Sequence, residues 1–439
     1  RSGRTYNRLR QRFIQMVKRL GEPVERLAET AEAMALKLIA PGYIFEDLGF
    51  RYFGPVDGHD REAIELMLLQ VREIQTPVLL HVHTTKGGGW EPAEDDPLLY
   101  HSGKDFDVET GVFSRGKPGR PTYSAVFAAT LADMADADPD LVAITAAMPS
   151  GTGLRAFGER HPERLYDVGI CEQHSFGFAE GLALAGKRPV LAHYSTFAQR
   201  GYDQLFQELV VQRELGVVIT LDRAGLVGED GETHQGLYDI AWSRTLPGTV
   251  LLAPKDGDEL AAMLRWAHGE RSQPIPPAAA YLLRYPKEEV PAIDWQVDRS
   301  AIACGRAEVL RRGSGLMIWA YGATVATCWH ACQRFATDHP DHPQPTLVNA
   351  RFAKPLDAEL LAELAIEHEQ LLTVEDHALP GGFGSAIAEA VADRGLSLRH
   401  HRLGVPDELV PHAKRQEQLQ QFGLDVDGVF ARLVGILGV

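Results

Sequence analysis

Asp167-Val168-Gly169-Ile170-Cys171-Glu172-Gln173-His174 places one carboxylate, Glu172, at the junction between a short apolar strand and a helix built on small residues. An open α/β sheet presents its chemistry at such junctions, outside the carboxyl ends of its strands. Around it, helical and strand periods alternate. Helices are expected at 125–135, 172–185, 197–213 and 259–268, and strands at 141–146, 189–193, 217–221, 250–253 and 279–284. Alternation of this kind predicts a mainly parallel sheet covered on both faces. A further unit beginning near residue 302 repeats the pattern, with strands at 316–321, 346–349 and 370–375 and helices at 325–335, 358–367 and 385–391. Upstream, helical periodicity over 6–40 is followed by a strand near 50–57, a helix at 61–74 and a strand at 77–84, the tail of another wound unit. The expected fold is therefore α/β, with three doubly wound domains: a remnant over 1–106, a polar Gly- and Pro-rich linker over 107–121, a second domain over 122–298 and a third over 299–439.

The 439-residue chain carries a formal net charge of -16, which argues against nucleic acid as the main partner, because phosphate backbones attract basic surfaces. No stretch approaches the roughly 20 uninterrupted apolar residues of a membrane span, and the Arg-rich opening has no apolar signal core. A cytoplasmic protein with neither membrane nor nucleic-acid partner is expected. Cys328, His330 and Cys332 lie at helical spacing, but no second ligand pair accompanies them, so no metal ligand is assigned within the chain. The chain lacks an initiator Met and opens inside an amphipathic segment, from which an N-terminally truncated fragment is expected.

Three groups of residues invite chemistry. Glu172 has apolar neighbours in Ile170, Phe176 and Phe178, and a carboxyl buried among them could serve as a proton donor, where the plain alternative is a helix-start carboxylate facing the helix dipole. Tyr194 and Phe197, in Tyr194-Ser195-Thr196-Phe197-Ala198-Gln199-Arg200, follow the next strand and could pack on a flat ring, or simply pack in the core. Arg223, Asp230 and His234 sit among the glycines of Arg223-Ala224-Gly225-Leu226-Val227-Gly228-Glu229-Asp230-Gly231-Glu232-Thr233-His234-Gln235-Gly236, where backbone can approach a ligand closely and Arg offers the fork that phosphate and carboxylate prefer. Earlier, Thr84-Thr85-Lys86-Gly87-Gly88-Gly89-Trp90 and Tyr100-His101 follow the strand at 77–84; without a Walker pattern this is a weak phosphate signal.

Together these motifs resemble the thiamine diphosphate-dependent, transketolase-like enzymes, and within them the 1-deoxy-D-xylulose-5-phosphate synthases, over essentially the whole chain. The resemblance implies that Glu172 hydrogen-bonds the aminopyrimidine ring and drives deprotonation of the thiazolium carbon, with His101 and His234 as further catalytic groups. It implies that Trp90, Phe197 and Tyr194 contact the cofactor, and that Lys86, Tyr194, Arg200, Arg223, Asp230 and Arg284 line the substrate cleft. It further implies pyruvate and D-glyceraldehyde 3-phosphate as substrates, isoprenoid and thiamine synthesis as the destination of the product, and a homodimer formed through the helices after Glu172 and the Gly381-Gly382 region. Phe352-Ala353-Lys354-Pro355-Leu356-Asp357 and Pro380-Gly381-Gly382-Phe383-Gly384 also match the family and are expected to serve structure and interface.

Two features depart from the pattern. Where the family usually reads Arg-Tyr-Pro-Arg-Gly, this chain has Arg284-Tyr285-Pro286-Lys287-Glu288, which is expected to reverse charge beside the phosphate contact. The family's Gly-Asp-Gly followed downstream by Asn, which holds Mg2+ and the diphosphate, does not occur in the 439 residues. The isolated chain is accordingly expected to bind thiamine diphosphate weakly and to turn over negligibly; calorimetric titration giving micromolar affinity with Mg2+ would contradict this. Competing readings are a transketolase, a beta-type subunit of a 2-oxo acid dehydrogenase, and a non-catalytic paralogue.

Overall fold

The computed structural model describes residues 42–101, 105–113, 119–269, 278–295 and 301–439. The helix expected over 6–40 lies outside them. The chain divides into two compact units, 1–117 and 118–439.

In the first unit, strands β1 (Arg51–Asp57) and β2 (Val78–His83) pair in parallel, joined by the helix Arg61–Val71. That helix starts where the Asp60 side chain accepts the Ala63 N–H at 3.0 Å, satisfying one of the orphan donors of its first turn. The loop after β2 leads into the short helices Glu91–Asp95 and Pro97–Tyr100.

The second unit contains two sheets. Strands β3 (Leu141–Thr145), β4 (Leu165–Asp167), β5 (Arg188–Tyr194), β6 (Val217–Asp222), β7 (Thr249–Leu252) and β8 (Ala280–Arg284) form a parallel array in the order β7-β8-β6-β5-β3-β4. The remaining strands are β9 (Glu308–Arg311), β10 (Gly315–Tyr321), β11 (Thr346–Asn349), β12 (Phe352–Lys354), β13 (His368–Ala378) and β14 (Arg399–Val405). The second sheet runs β14-β13-β10-β11-β9, parallel except for β9. Every residue of β3, β6, β7 and β8 is buried, as expected of parallel strands covered on both faces. The α/β class read from the sequence is the observed one.

Strand β12 comes from the later part of the chain yet pairs antiparallel with β7, so it extends the first sheet. Lys354 at its end donates to the carbonyls of Arg244 and Leu246, closing the helix Asp239–Ser243. One of the buried apolar clusters runs through both sheets, from Ile144, Leu191 and Ile219 to Met317, Trp319 and Val348. This continuity joins the two sheets within the compact unit 118–439.

The helix expected over 197–213 is broken. Short α turns at Ser195–Ala198 and Tyr202–Gln204 flank a 3-10 turn at Gln199–Gly201, and a π-helical stretch follows at Leu205–Val210. The cause is packing: a Cβ on Gly201 would lie 2.2 Å from the Phe176 ring, so the neighbouring helix Glu172–Leu184 presses directly on this backbone. Cys328 and Cys332 are buried on the helix Thr324–Asp338, and burial pushes the Cys332 thiol up to about 12. His330, two residues from each, is exposed, so the three do not converge on one point. No helix among the described residues is long and apolar enough to cross a membrane.

Candidate functional site

The candidate residues of the second unit stand at the carboxyl ends of β4, β5 and β6, where a wound sheet opens its crevice. At the end of β4, the Asp167 carboxylate accepts the N–H groups of Ala147 and Gly169 at 2.8 and 3.0 Å. Gly169 turns the chain with φ +70°, and the helix Glu172–Leu184 begins three residues later. Glu172 is 2% exposed, and its Oε2 is buried without a hydrogen-bond partner among the described residues. Ile170, expected to shield it, is instead 75% exposed, because the turn at Gly169 swings it outward. The apolar wall of this helix start is Phe176, fully buried and stacked on His193 with centroids 5.7 Å apart.

His193 ties β5 to the helix start. Its Nε2 lies 2.8 Å from Ser175 Oγ, and that hydroxyl donates to the Glu172 carbonyl at 2.6 Å. Burial pushes His193 down to about 4, and burial does the same to His377, whose Nε2 accepts the Ile240 N–H at 3.2 Å. Both rings stay neutral in the fold but protonate near 6.5 once unfolded. As pH falls from 6.5 toward 4 the unfolded chain takes up protons that the fold refuses, so stability drops. Urea unfolding at about pH 7 and about pH 5 is expected to show a loss of roughly 2 kcal/mol per histidine. Equal midpoints at the two pH values would contradict this account.

Tyr194 ends β5, and its ring stacks on Phe197 (5.8 Å, 14° between planes); the His234 ring meets Phe197 edge-on at 5.0 Å. Thr196 Oγ donates to the Thr233 carbonyl at 3.0 Å, which fastens the Gly-rich loop to this turn. The structure thus brings Tyr194, Phe197 and His234 together. Arg200 lies exposed on the 3-10 turn.

Arg223 follows β6 in a left-handed conformation, φ +57°. Its Cζ sits 4.1 Å from the Tyr194 ring centroid, and Nε lies 3.9 Å from Asp230 Oδ2. Asp230 Oδ1 accepts from Lys287 Nζ at 2.6 Å. The loop is closed by paired bonds between Gly225 and Gly236, N–H to carbonyl in both directions at 2.7 and 2.8 Å. Gly225 has φ +86°, and a Cβ there would be 2.2 Å from Asp376 Oδ2. Gly225→Ala combines backbone strain with that clash and is expected to cost about 2–4 kcal/mol; a chemical-denaturation midpoint within error of the parent would disprove the steric reading.

Arg284 is placed differently from expectation. It is buried, and its guanidinium is committed to Asp239 (Nε to Oδ2 2.7 Å, Nη2 to Oδ1 3.3 Å) and to the Asp376 carbonyl (3.1 Å). It thereby links the first sheet to β13 of the second. The charge reversal expected at Lys287-Glu288 is also absent, because Lys287 faces Asp230 while the Glu288 carboxylate turns to Arg415 at 3.4 Å. Burial pushes Glu288 up, and the Arg415 guanidinium opposes that.

Lys86, Trp90 and His101 belong to the other compact unit. Lys86 and His101 are exposed there. Trp90 stacks on Phe106 at 5.1 Å and meets Tyr100 edge-on at 4.9 Å, within an aromatic cluster that includes Phe113. Sequence reasoning passed over Asp222, Asp239 and Asp376, which partner the site's two arginines, and Ser124, which donates to Asp222. Only Asp222 carried a signal, as a buried strand's final residue directly before Arg223.

Comparison with known proteins gives three domain-family matches: 1-deoxy-D-xylulose-5-phosphate synthase over residues 1–84, transketolase pyrimidine binding domain over 120–291, and transketolase C-terminal domain over 305–429. The chain is 41% identical over 442 residues to a 1-deoxy-D-xylulose-5-phosphate synthase of Magnetococcus marinus, covering 100% of this chain and 68% of that protein. It is 42% identical over 423 residues to 1-deoxy-D-xylulose-5-phosphate synthase 2 of Geobacter sulfurreducens, covering 96% and 66%, and 40% identical over 430 residues to the Thioalkalivibrio sulfidiphilus synthase, covering 98% and 64%. The chain thus spans just under two thirds of the length of the latter two relatives. Among solved structures, a split-gene transketolase described as an inactive beta4 tetramer aligns with TM-score 0.63 at 25% identity, over 72% of this chain and 98% of that one. A Pichia stipitis transketolase shares the fold with TM-score 0.60 at 16% identity, over 73% and 46%.

Proposed function

Because the chain belongs to the 1-deoxy-D-xylulose-5-phosphate synthase family, we propose that it works in decarboxylating pyruvate and transferring the two-carbon unit to D-glyceraldehyde 3-phosphate, giving 1-deoxy-D-xylulose 5-phosphate. Thiamine diphosphate, when bound, supplies the electron sink that such chemistry needs. The buried, unpartnered Oε2 of Glu172 carries this reading, since a buried polar atom without a partner calls for one, and a ring nitrogen of an aminopyrimidine is suitable. In this reading Glu172 shares a proton with that nitrogen at Oε2. Phe197 and Tyr194 offer flat faces at the end of the neighbouring strand. In this reading Arg223 receives the acceptor's phosphate, and His234, edge-on to Phe197, exchanges a proton with the reacting carbonyl.

In this reading Lys86 on the loop after β2 serves the substrate, Trp90 the cofactor and His101 catalysis, and bound Mg2+ would offset the charge of the diphosphate. A homodimer in the cytoplasm completes it. Exposed Leu184, Tyr202, Phe206 and Val211, on the helix after Glu172 and the turns packed against it, support a second copy covering that face. The test is a product assay on the full-length enzyme with pyruvate and glyceraldehyde 3-phosphate, run beside one with xylulose 5-phosphate and ribose 5-phosphate. Carbon dioxide and a deoxy sugar phosphate from the first pair alone are expected. Turnover of the second pair instead would make it a transketolase.

A further inference from the structure

The way Arg223 is held says which of its edges is meant for a ligand. Its Nη1 donates to Asp222 Oδ1 at 2.8 Å and to the Gly151 carbonyl at 2.6 Å, and its own backbone N–H donates to the same Asp222 oxygen at 2.7 Å. The other Asp222 oxygen, Oδ2, accepts from Ser124 Oγ at 2.6 Å. Asp222 is fully buried, and Ser124 lies in the first turn of the helix Tyr123–Ala137, far away in sequence. The guanidinium face rests on Tyr194, and Gly151 is packed against that tyrosine's hydroxyl so closely that a Cβ there would lie 1.9 Å from it. One edge of the guanidinium is therefore fixed at two points and its face at a third. On the opposite edge, Nε is buried and donates to nothing among the described residues, with Asp230 no nearer than 3.9 Å.

We propose that Asp222, braced by Ser124, is the positioning residue that fixes Arg223 so that its Nε edge is presented to an oxyanion, and that this pair sets affinity for the phosphorylated acceptor. Side-on Arg binds a phosphate through two parallel N–H groups, and that geometry is useful only if the plane of the guanidinium is already set. The left-handed backbone of Arg223 adds to the need, because the Asp222 oxygen that orients Nη1 also accepts the N–H of the strained residue. A buried carboxylate with three short donors serves as a rigid brace, whereas one exposed to water would let the side chain wander.

The inference rests on the synthase reading and is tested by steady-state kinetics of the full-length enzyme. Ser124→Ala removes one donor from the brace and leaves every ligand-facing group in place. It is expected to raise KM for glyceraldehyde 3-phosphate about 3- to 10-fold, with kcat and the pyruvate KM within about twofold of the parent. Ser124→Thr, which keeps the hydroxyl, is expected to restore the parent value. Asp222→Asn is expected to raise the same KM about 10- to 100-fold. Inorganic phosphate, as a competitive inhibitor against the acceptor, is expected to weaken in parallel. An unchanged acceptor KM in Ser124→Ala, or equal shifts in the pyruvate and acceptor constants, overturns the assignment. Parent enzyme that makes no product from the phosphorylated acceptor defeats the synthase reading instead, and is recognised before any variant is made.

Discussion

Replacing Glu172 by Gln is expected to lower decarboxylation of pyruvate by the full-length enzyme about 10²- to 10⁴-fold while leaving the fold as stable as before or more so. Gln keeps the size and shape of the side chain, with an amide nitrogen in place of one oxygen, but it cannot give up or accept the proton that the proposed role demands. The stability arm of the experiment separates this from a structural role. A carboxylate at a helix start contributes about 0.3–1 kcal/mol through the dipole. A buried polar oxygen left without a partner costs about 1–3 kcal/mol. Oε2 of Glu172 is such an oxygen, so the second quantity outweighs the first and neutral Gln should not destabilise. A turnover assay paired with thermal unfolding checks both; retained activity, or a fall in both activity and melting temperature, would return Glu172 to the role of an ordinary helix-start residue.

Truncating Arg351 to Ala is expected to cost about 3–5 kcal/mol of unfolding free energy. Arg351 is buried between the two sheets, with Nε 2.7 Å from Glu259 and Nη2 2.9 Å from Glu308. Lys255 Nζ reaches the same two carboxylates at 3.3 and 2.6 Å, and Asn349 donates to both. Among the described residues, two cations thus face two anions out of water. Deleting one cation leaves an uncompensated buried negative charge, which is why the loss exceeds that of a surface pair, whose contribution is about 0–1 kcal/mol. Removing Glu308 as well takes away part of the excess charge, so Glu308→Ala with Arg351→Ala should cost less than the sum of the single changes. The same cluster predicts acid sensitivity. Burial alone would raise Glu308, but Arg351, Lys255 and Asn349 together hold it below 4.5. Its contribution is therefore complete above 4.5 and is lost as pH falls through the depressed value. Denaturant titrations of parent, single and double variants measure these terms, and strictly additive losses would show that the four charges do not act as a unit.

Much of the candidate site was legible because its residues are neighbours in sequence at the ends of strands. Tyr194 and Phe197 lie three residues apart on one turn, and Arg223 opens the loop whose Gly225 requires a positive φ. The burial of Glu172 could be anticipated, but the group shielding it could not. Ile170 and Phe176 look equally apolar in the sequence, and only the turn at Gly169 sends one outward and the other onto His193. The continuous helical period of 197–213 was misleading for a related reason. It records which residues face inward, but not that Phe176 presses on Gly201 and breaks the spiral.

The amino-acid order by itself determined the alternation of strands and helices, hence the α/β class, and the placing of Glu172, Tyr194 and Arg223 at the carboxyl ends of strands. These are local matters, settled by side-chain period and by where glycine permits a turn. Tertiary structure alone decided the partners: Ser124 for Asp222, Asp239 for Arg284, Arg415 for Glu288, and β7 for the late strand Phe352–Lys354. A buried charge must find its counterpart wherever strand order brings one within about 3 Å. Strands are arranged in space by packing, not by their sequence in the chain, so no local pattern records which acid meets which arginine.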